Sequence, residues 1–176
     1  LGTPNVLVNN AGIGTGGLFV DMKPDVWDMT MDLNLRSPVF LTQALLDLLK
    51  VNATDEDPAR IIFISSAAAS ENNARVMAYS TSKAALEKMT SLLALALCDD
   101  HILVNAIAPG AFYSEMTRNT WEDRDRLQSL VERIPIHRFG EPEDIAGVAV
   151  MLCSRAGAYF TGEVLHVDGG HRLTFS

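Results

Sequence analysis

Ile61-Ile62-Phe63-Ile64-Ser65-Ser66-Ala67-Ala68-Ala69 is the stretch on which the fold turns, an apolar, β-branched run that gives way at once to small residues. A short unbroken apolar run bounded by turn-forming residues reads as a strand buried on both faces, the kind found in parallel sheets. Open parallel sheets bind their ligands just outside the carboxyl ends of such strands. Ser66 at that end is able to hydrogen-bond a substrate oxygen, or else it caps a turn.

Toward the N-terminus the pattern repeats. Asn5-Val6-Leu7-Val8 is a second buried parallel strand, and it opens into Asn9-Asn10-Ala11-Gly12-Ile13-Gly14, where small residues permit close backbone approach. Alone, Asn-Asn-Ala-Gly is also an ordinary turn. Between the two strands a helical pattern starts at Pro24, with Val26, Trp27, Met29, Thr30 and Leu33 to one side, and a second helical run extends from Val39 to Lys50. Ser37-Pro38 removes a backbone donor, so a kink is expected near Asn34. Asn34 then either plugs the freed backbone groups or serves chemistry. Asp55-Glu56-Asp57-Pro58 lies in an exposed acidic loop.

Toward the C-terminus, Tyr79-Ser80-Thr81-Ser82-Lys83 opens a long Ala/Leu/Met-rich helix and puts a phenol and an ammonium at i and i+4, on one face. An ammonium nearby and the positive end of a helix behind favour the phenolate, although the same pair is also an ordinary surface pair at a helix start. The helix stays apolar nearly all round to Leu97, which predicts a subunit interface. Asp99-Asp100-His101 ends it. The strand Ile102–Ala108 follows and is broken by Pro109-Gly110. From Ala111 to Ile134, aromatic Phe112, Tyr113 and Trp121 are expected to close over a pocket, with Glu122-Asp123-Arg124-Asp125-Arg126 solvated. Pro142 with Glu141, Glu143 and Asp144 is a good helix opening, and that helix stops by Gly157. Glu163–Val167 is the last strand, closed by Asp168-Gly169-Gly170.

Strands alternating with helices give an α/β fold with a parallel sheet and right-handed crossovers. A chain of 176 residues, 48% hydrophobic and 20% charged, with no linker or repeat, reads as one domain over 1–176. The net charge of -8 argues against nucleic acid or an anionic membrane surface as partner. No apolar run is long enough to span a bilayer and no leader pattern is present, so a soluble, cytoplasmic protein is expected. Cys98 and Cys153 read as reduced core thiols.

Asn10-Ala11-Gly12 after a strand, Asn34 in a bent helix, Ser66 after a strand, Tyr79 with Lys83, Pro109-Gly110 after the next strand and a terminal Asp168-Gly169-Gly170 occur in one fixed order. That order resembles the short-chain dehydrogenase/reductase family along the whole chain. The resemblance implies a Rossmann-like parallel sheet flanked by helices. It also implies hydride transfer between a carbonyl and a secondary alcohol with NADP or NAD, NADP being favoured, and no metal. It casts Tyr79 as acid/base, Lys83 as the residue that lowers the tyrosine pKa and holds the nicotinamide ribose, Ser66 as the group that orients the reacting oxygen, and Asn34 as part of a water-linked proton relay. Cofactor contacts are implied at Asn10, Ala11, Gly12, Tyr79, Lys83, Pro109, Gly110, Phe112 and Ser114. Ser114 stands where the family commonly has a threonine.

The family's Gly-rich phosphate loop has no counterpart. Gly12-Ile13-Gly14-Thr15-Gly16-Gly17 follows the wrong strand. The chain starts at Leu1, and the resemblance places it at the family's fourth strand, so an N-terminally truncated domain lacking the first strands is expected, one that is unstable or oligomeric alone and reduces carbonyls poorly. A 3-oxoacyl-carrier-protein reductase-like enzyme acting on a small carbonyl or alcohol is expected. It would form a homodimer or homotetramer through the helices at 24–50 and 79–98. The alternative is a non-catalytic oligomerisation module that has lost cofactor binding.

Overall fold

The computed structural model describes residues 2–174. Its centre is one four-stranded, all-parallel sheet in the order β1 (Val6–Asn9), β2 (Ala59–Ile64), β3 (Ile102–Pro109), β4 (Val164–Val167). Side-chain alternation sorts the two faces. Ile61, Phe63, Val104 and Ala106 pack with Leu49 and Leu86, from α2 (Ser37–Lys50) and α3 (Met77–Leu97). Ile62 and Ile107 pack on the opposite face against Leu152 of α6 (Pro142–Cys153). β2 is buried on both sides, which is why its sequence shows no polar alternation.

β1 differs from its sequence reading as a buried strand. Leu7 packs into the α2/α3 core, but Val6 and Val8 stand 37% and 48% exposed. Among the described residues β1 pairs with β2 alone, and α6 lies over β2 and β3 instead.

The expected kink is a π-helical turn, Asp32–Arg36, between α1 (Pro24–Met31) and α2. A π turn places one extra residue in the helix and re-aims a side chain, here Asn34, inward to full burial. α3 begins at Met77, so Tyr79 lies in its first turn. It ends in a 3-10 turn, with His101 at φ 54° reversing the chain into β3. Two short helices, α4 (Arg118–Trp121) and α5 (Arg124–Val131), fill the segment between β3 and α6. Asp144 fixes the start of α6 by accepting from Glu141 N at 2.8 Å and from both terminal nitrogens of Arg138 at 2.6 and 2.9 Å.

Of the two cysteines only Cys153 packs at the core, half-buried against the Ile62/Ile107/Leu152 cluster; Cys98 is exposed, because the apolar surface of α3 turns outward near its end, where Leu95 is also exposed. On α2, Phe40, Leu41 and Leu48 are exposed as well.

Candidate active site

The carboxyl ends of β1, β2 and β3 and the first turns of α3 enclose a cleft of about 710 Å³. Asn10, Gly12, Ser66, Tyr79, Lys83, Pro109, Gly110, Phe112 and Ser114 all line it. Two other expected residues do not. Ala11 lines a separate hollow with Leu33 and Pro38, and Asn34 lies beneath the loop.

The floor is polar and buried. Asn34 Oδ1 accepts from Ile13 N at 2.8 Å, and its Nδ2 donates to Ile13 O at 2.9 Å and to Ser82 Oγ at 3.1 Å. These bonds tie the loop after β1 to α3. Gly12 lies tightly above them: a Cβ there would stand 3.2 Å from Asn34 Oδ1 and 3.3 Å from Lys83 Nζ, so either side chain would have to give by a few tenths of an ångström. Lys83 is 4% exposed, and its Nζ donates to Ile64 O at 2.7 Å. Burial pulls this ammonium down to about 8.

Ser66 leaves β2 in extended conformation and caps the 3-10 turn Ala67–Ala69, its Oγ accepting from Ala68 N at 3.2 Å. It lines the same cleft as the Tyr79 side chain. The phenol does not behave as the Tyr79/Lys83 spacing predicts. Its pKa is raised, mainly by burial, with the Ser66 hydroxyl working against the rise and the Glu71 carboxylate adding to it. Lys83 Nζ lies 5.8 Å from the tyrosine ring centre and donates to a carbonyl instead, so desolvation sets the direction of the shift.

The cover comes from 111–140. Thr117 Oγ1 donates to Phe112 O at 2.6 Å, and the Ser114 and Thr117 hydroxyls lie 3.1 Å apart. Tyr113 packs on Phe139 with ring centres 5.0 Å apart and edge-on to Trp121 at 6.1 Å. Met116 reaches across the cleft to the β1 loop, where a Cβ on Gly14 would stand 2.7 Å from its Sδ. Met116, Thr117, Gly140 and Ile145 were not singled out in the sequence, and no short motif marks them. Their place depends on how the segment folds back. Among the described residues no cluster of His, Cys, Asp or Glu could hold a metal ion, and no helix is long and apolar enough to cross a membrane.

Residues 1–172 match a family model described as enoyl-(acyl carrier protein) reductase. The chain is 42% identical to the rhamnolipids biosynthesis 3-oxoacyl-(acyl-carrier-protein) reductase of Pseudomonas aeruginosa over 96% of its own length and 66% of the relative's. It is 40% identical to the 3-oxoacyl-(acyl-carrier-protein) reductase FabG of Aquifex aeolicus, covering 94% of the chain and 64% of that protein. The human dehydrogenase/reductase SDR family member 4 is 35% identical over 94% of the chain and 59% of its own length. The chain thus spans between 59% and 66% of the length of these relatives. Among solved structures, the Pseudomonas aeruginosa RhlG/NADP active-site complex superposes with a TM-score of 0.92 at 41% identity, covering 96% of this chain and 66% of that one. A gluconate 5-dehydrogenase from Burkholderia cenocepacia in complex with NADP and tartrate gives 0.88 at 29% identity, covering 94% and 64%.

Proposed function

The chain belongs to the short-chain dehydrogenase/reductase family, and on that premise we propose that it carries the catalytic constellation of an NAD(P)-dependent oxidoreductase acting between a carbonyl and a secondary alcohol. One observation carries the reading. Ser66 and Tyr79, from the end of β2 and the first turn of α3, share a cleft with a buried lysine ammonium. A purely structural module has no need to bury that ammonium beside a phenol, given the desolvation involved.

The nicotinamide end of a cofactor fits these residues. Lys83 uses one donor on Ile64 O, and the other N–H groups of the ammonium remain for ribose hydroxyls. Gly12 places no side chain against that ammonium, and Asn10, Pro109, Gly110, Phe112 and Ser114 line the rest, with Ala11 one step outside. When bound, NADPH or NADH supplies the hydride. NADP is favoured because it is the cofactor named with both similar structures described above. The chain's residues do the remainder. Tyr79 gives its phenolic proton to the carbonyl oxygen in reduction and takes it back in oxidation. The Ser66 hydroxyl donates to the same oxygen and stabilises its developing charge. Asn34 holds Ile13, and through it the Gly12 loop, in register with Lys83.

The substrate we infer is a small carbonyl compound with an apolar tail, of the 3-oxoacyl type. Phe112, Tyr113, Met116 and Ile145 give the cleft an apolar wall, and two of the relatives are 3-oxoacyl reductases. The exposed apolar faces of the helices at 24–50 and 79–98 suit a homodimer or homotetramer, and the working compartment is the cytoplasm.

Reduced-nicotinamide fluorescence tests the reading. The chain should give a saturable shift that Lys83→Met weakens and Tyr79→Phe leaves intact. In protein that turns over, Tyr79→Phe should cut carbonyl reduction by about a hundredfold or more. Turnover that Tyr79→Phe retains overturns the assignment, and so does a missing shift in protein that includes the family's phosphate loop.

A further inference from the structure

Ile64, Ser65 and Ser66 follow one another where β2 meets the cleft, and each has a different partner. The Ile64 carbonyl accepts from Lys83 Nζ at 2.7 Å, and Ser66 lines the cleft. Ser65 between them is 3% exposed, and its hydroxyl donates to Glu87 Oε1 at 2.8 Å, with Lys83 O 3.4 Å away. Its backbone N–H donates to Ile107 O of β3 at 2.7 Å, so Ser65 is tied to the sheet on one side and to α3 on the other. Glu87 lies one turn after Lys83 and two turns after Tyr79 on that helix. Its carboxyl is half-buried, next to fully buried Leu86 and one turn from Thr90 at 0% exposure. An apolar side chain of that length would fill the place without desolvating a carboxylate, so packing alone does not call for glutamate there.

We propose that Glu87 is a positioning residue for the site: through the Ser65 hydroxyl it fixes the end of β2 against α3, so that Ile64 O meets the Lys83 ammonium and Ser66 keeps its place in the cleft with Tyr79. This rests on the reading of Ser66, Tyr79 and Lys83 as the reacting constellation. The two bonds act together. They join consecutive residues of the strand to helix residues about 6 Å apart along the axis, and α3 can neither slide nor roll without breaking one of them.

The groups facing Glu87 agree with a geometric role. Burial raises its pKa, and the Ser65 hydroxyl and then His166, which pairs with Ala108 across β3 and β4, oppose the rise. Burial alone lowers Lys83, so Glu87 acts on the ammonium by placement and not by charge.

The test reads the Ile64 carbonyl directly. Ile64-Ser65 is the one Ile-Ser pair in the sequence, so carbonyl-carbon-13 isoleucine combined with nitrogen-15 serine isolates a single amide signal. In the wild-type chain its carbonyl shift should step at about pH 8, as the ammonium bonded to Ile64 O loses its charge. Glu87→Gln, which keeps an acceptor at the same reach, should retain the step. Glu87→Met, which keeps the length but has no such acceptor, should lose most of it. Glu87→Asp, one methylene short, should lose it too, and takes over if far-UV circular dichroism shows Glu87→Met unfolded. In protein that turns over, Glu87→Met should lower kcat by about tenfold or more, and Glu87→Gln should keep most of it. The resonance measurement needs neither cofactor nor turnover, so a failure of the oxidoreductase reading shows separately, as the same Gln/Met contrast in a protein that reduces no carbonyl. A wild-type chain without the step, a step that Glu87→Met retains or Glu87→Gln abolishes, or a kcat that Glu87→Met leaves unchanged overturns the proposal. So does a failure of both Glu87→Met and Glu87→Asp to fold, because Glu87 would then hold the fold and not the site.

Discussion

Asn34 lies beneath the cleft floor and Ser114 on its cover, and Asn34 is fully buried with hydrogen bonds to Ile13 N, Ile13 O and Ser82 Oγ, whereas Ser114 is exposed and bonds Thr117 within its own turn. The same contrast runs through the two regions they belong to. The floor joins the β1 loop, the π turn and α3 by buried polar contacts, each of which would leave an orphaned group if broken. The cover is held by ring contacts and short-range turns, with Phe139 as its buried anchor. The floor is thus tied across the chain by buried polar bonds, and the cover by contacts within its own segment.

Asn34→Ala should break this contrast most severely. It orphans both Ile13 backbone groups and empties a buried site, at a cost of about 3–5 kcal/mol in urea unfolding. An effect comparable with that of an exposed position would show that the floor is not held as described.

Lys83→Met should act in the opposite direction. The ammonium is lowered to about 8 against the usual value near 10.5, so its burial penalty is fully present below pH 8. Between these values the unfolded chain binds the more protons, so stability rises with pH until the penalty is gone near 10.5. The shift corresponds to roughly 3 kcal/mol, part of which is offset by losing the bond to Ile64 O. Lys83→Met should therefore stabilise the chain by about 2 kcal/mol at pH 7, and the gain should vanish by pH 10.5 in parallel urea titrations. A gain independent of pH would assign the effect to packing.

Tyr113→Ala in the cover should cost least, about 1 kcal/mol or below in the same assay, because the residue is 51% exposed despite its ring contacts with Phe139 and Trp121. A cost near that of Asn34→Ala would mean the cover is as firmly built as the floor.

The sequence by itself determined the parts whose signals are local. Unbroken apolar runs at Ile61–Ile64 and Ile102–Ala108 mark strands with no free face, Pro142 and its acidic neighbours mark a helix start, and Tyr79 with Lys83 declare a shared helix face through their spacing. The proline after Asn34 announced a bend but not its π register, which depends on Ile13 and Ser82 waiting to receive the amide.

Only the tertiary structure decided the electrostatics and the walls. Spacing alone assigned the phenol a helpful ammonium, but protonation follows desolvation, and desolvation depends on what the rest of the chain lays over a side chain. Ser65 and Glu87 carry no mutual signal in the sequence, yet the packing of α3 on the sheet brings their side chains to 2.8 Å next to Ser66. Local propensity acts within a few residues, whereas burial and charge act through space, and only the fold sets those distances.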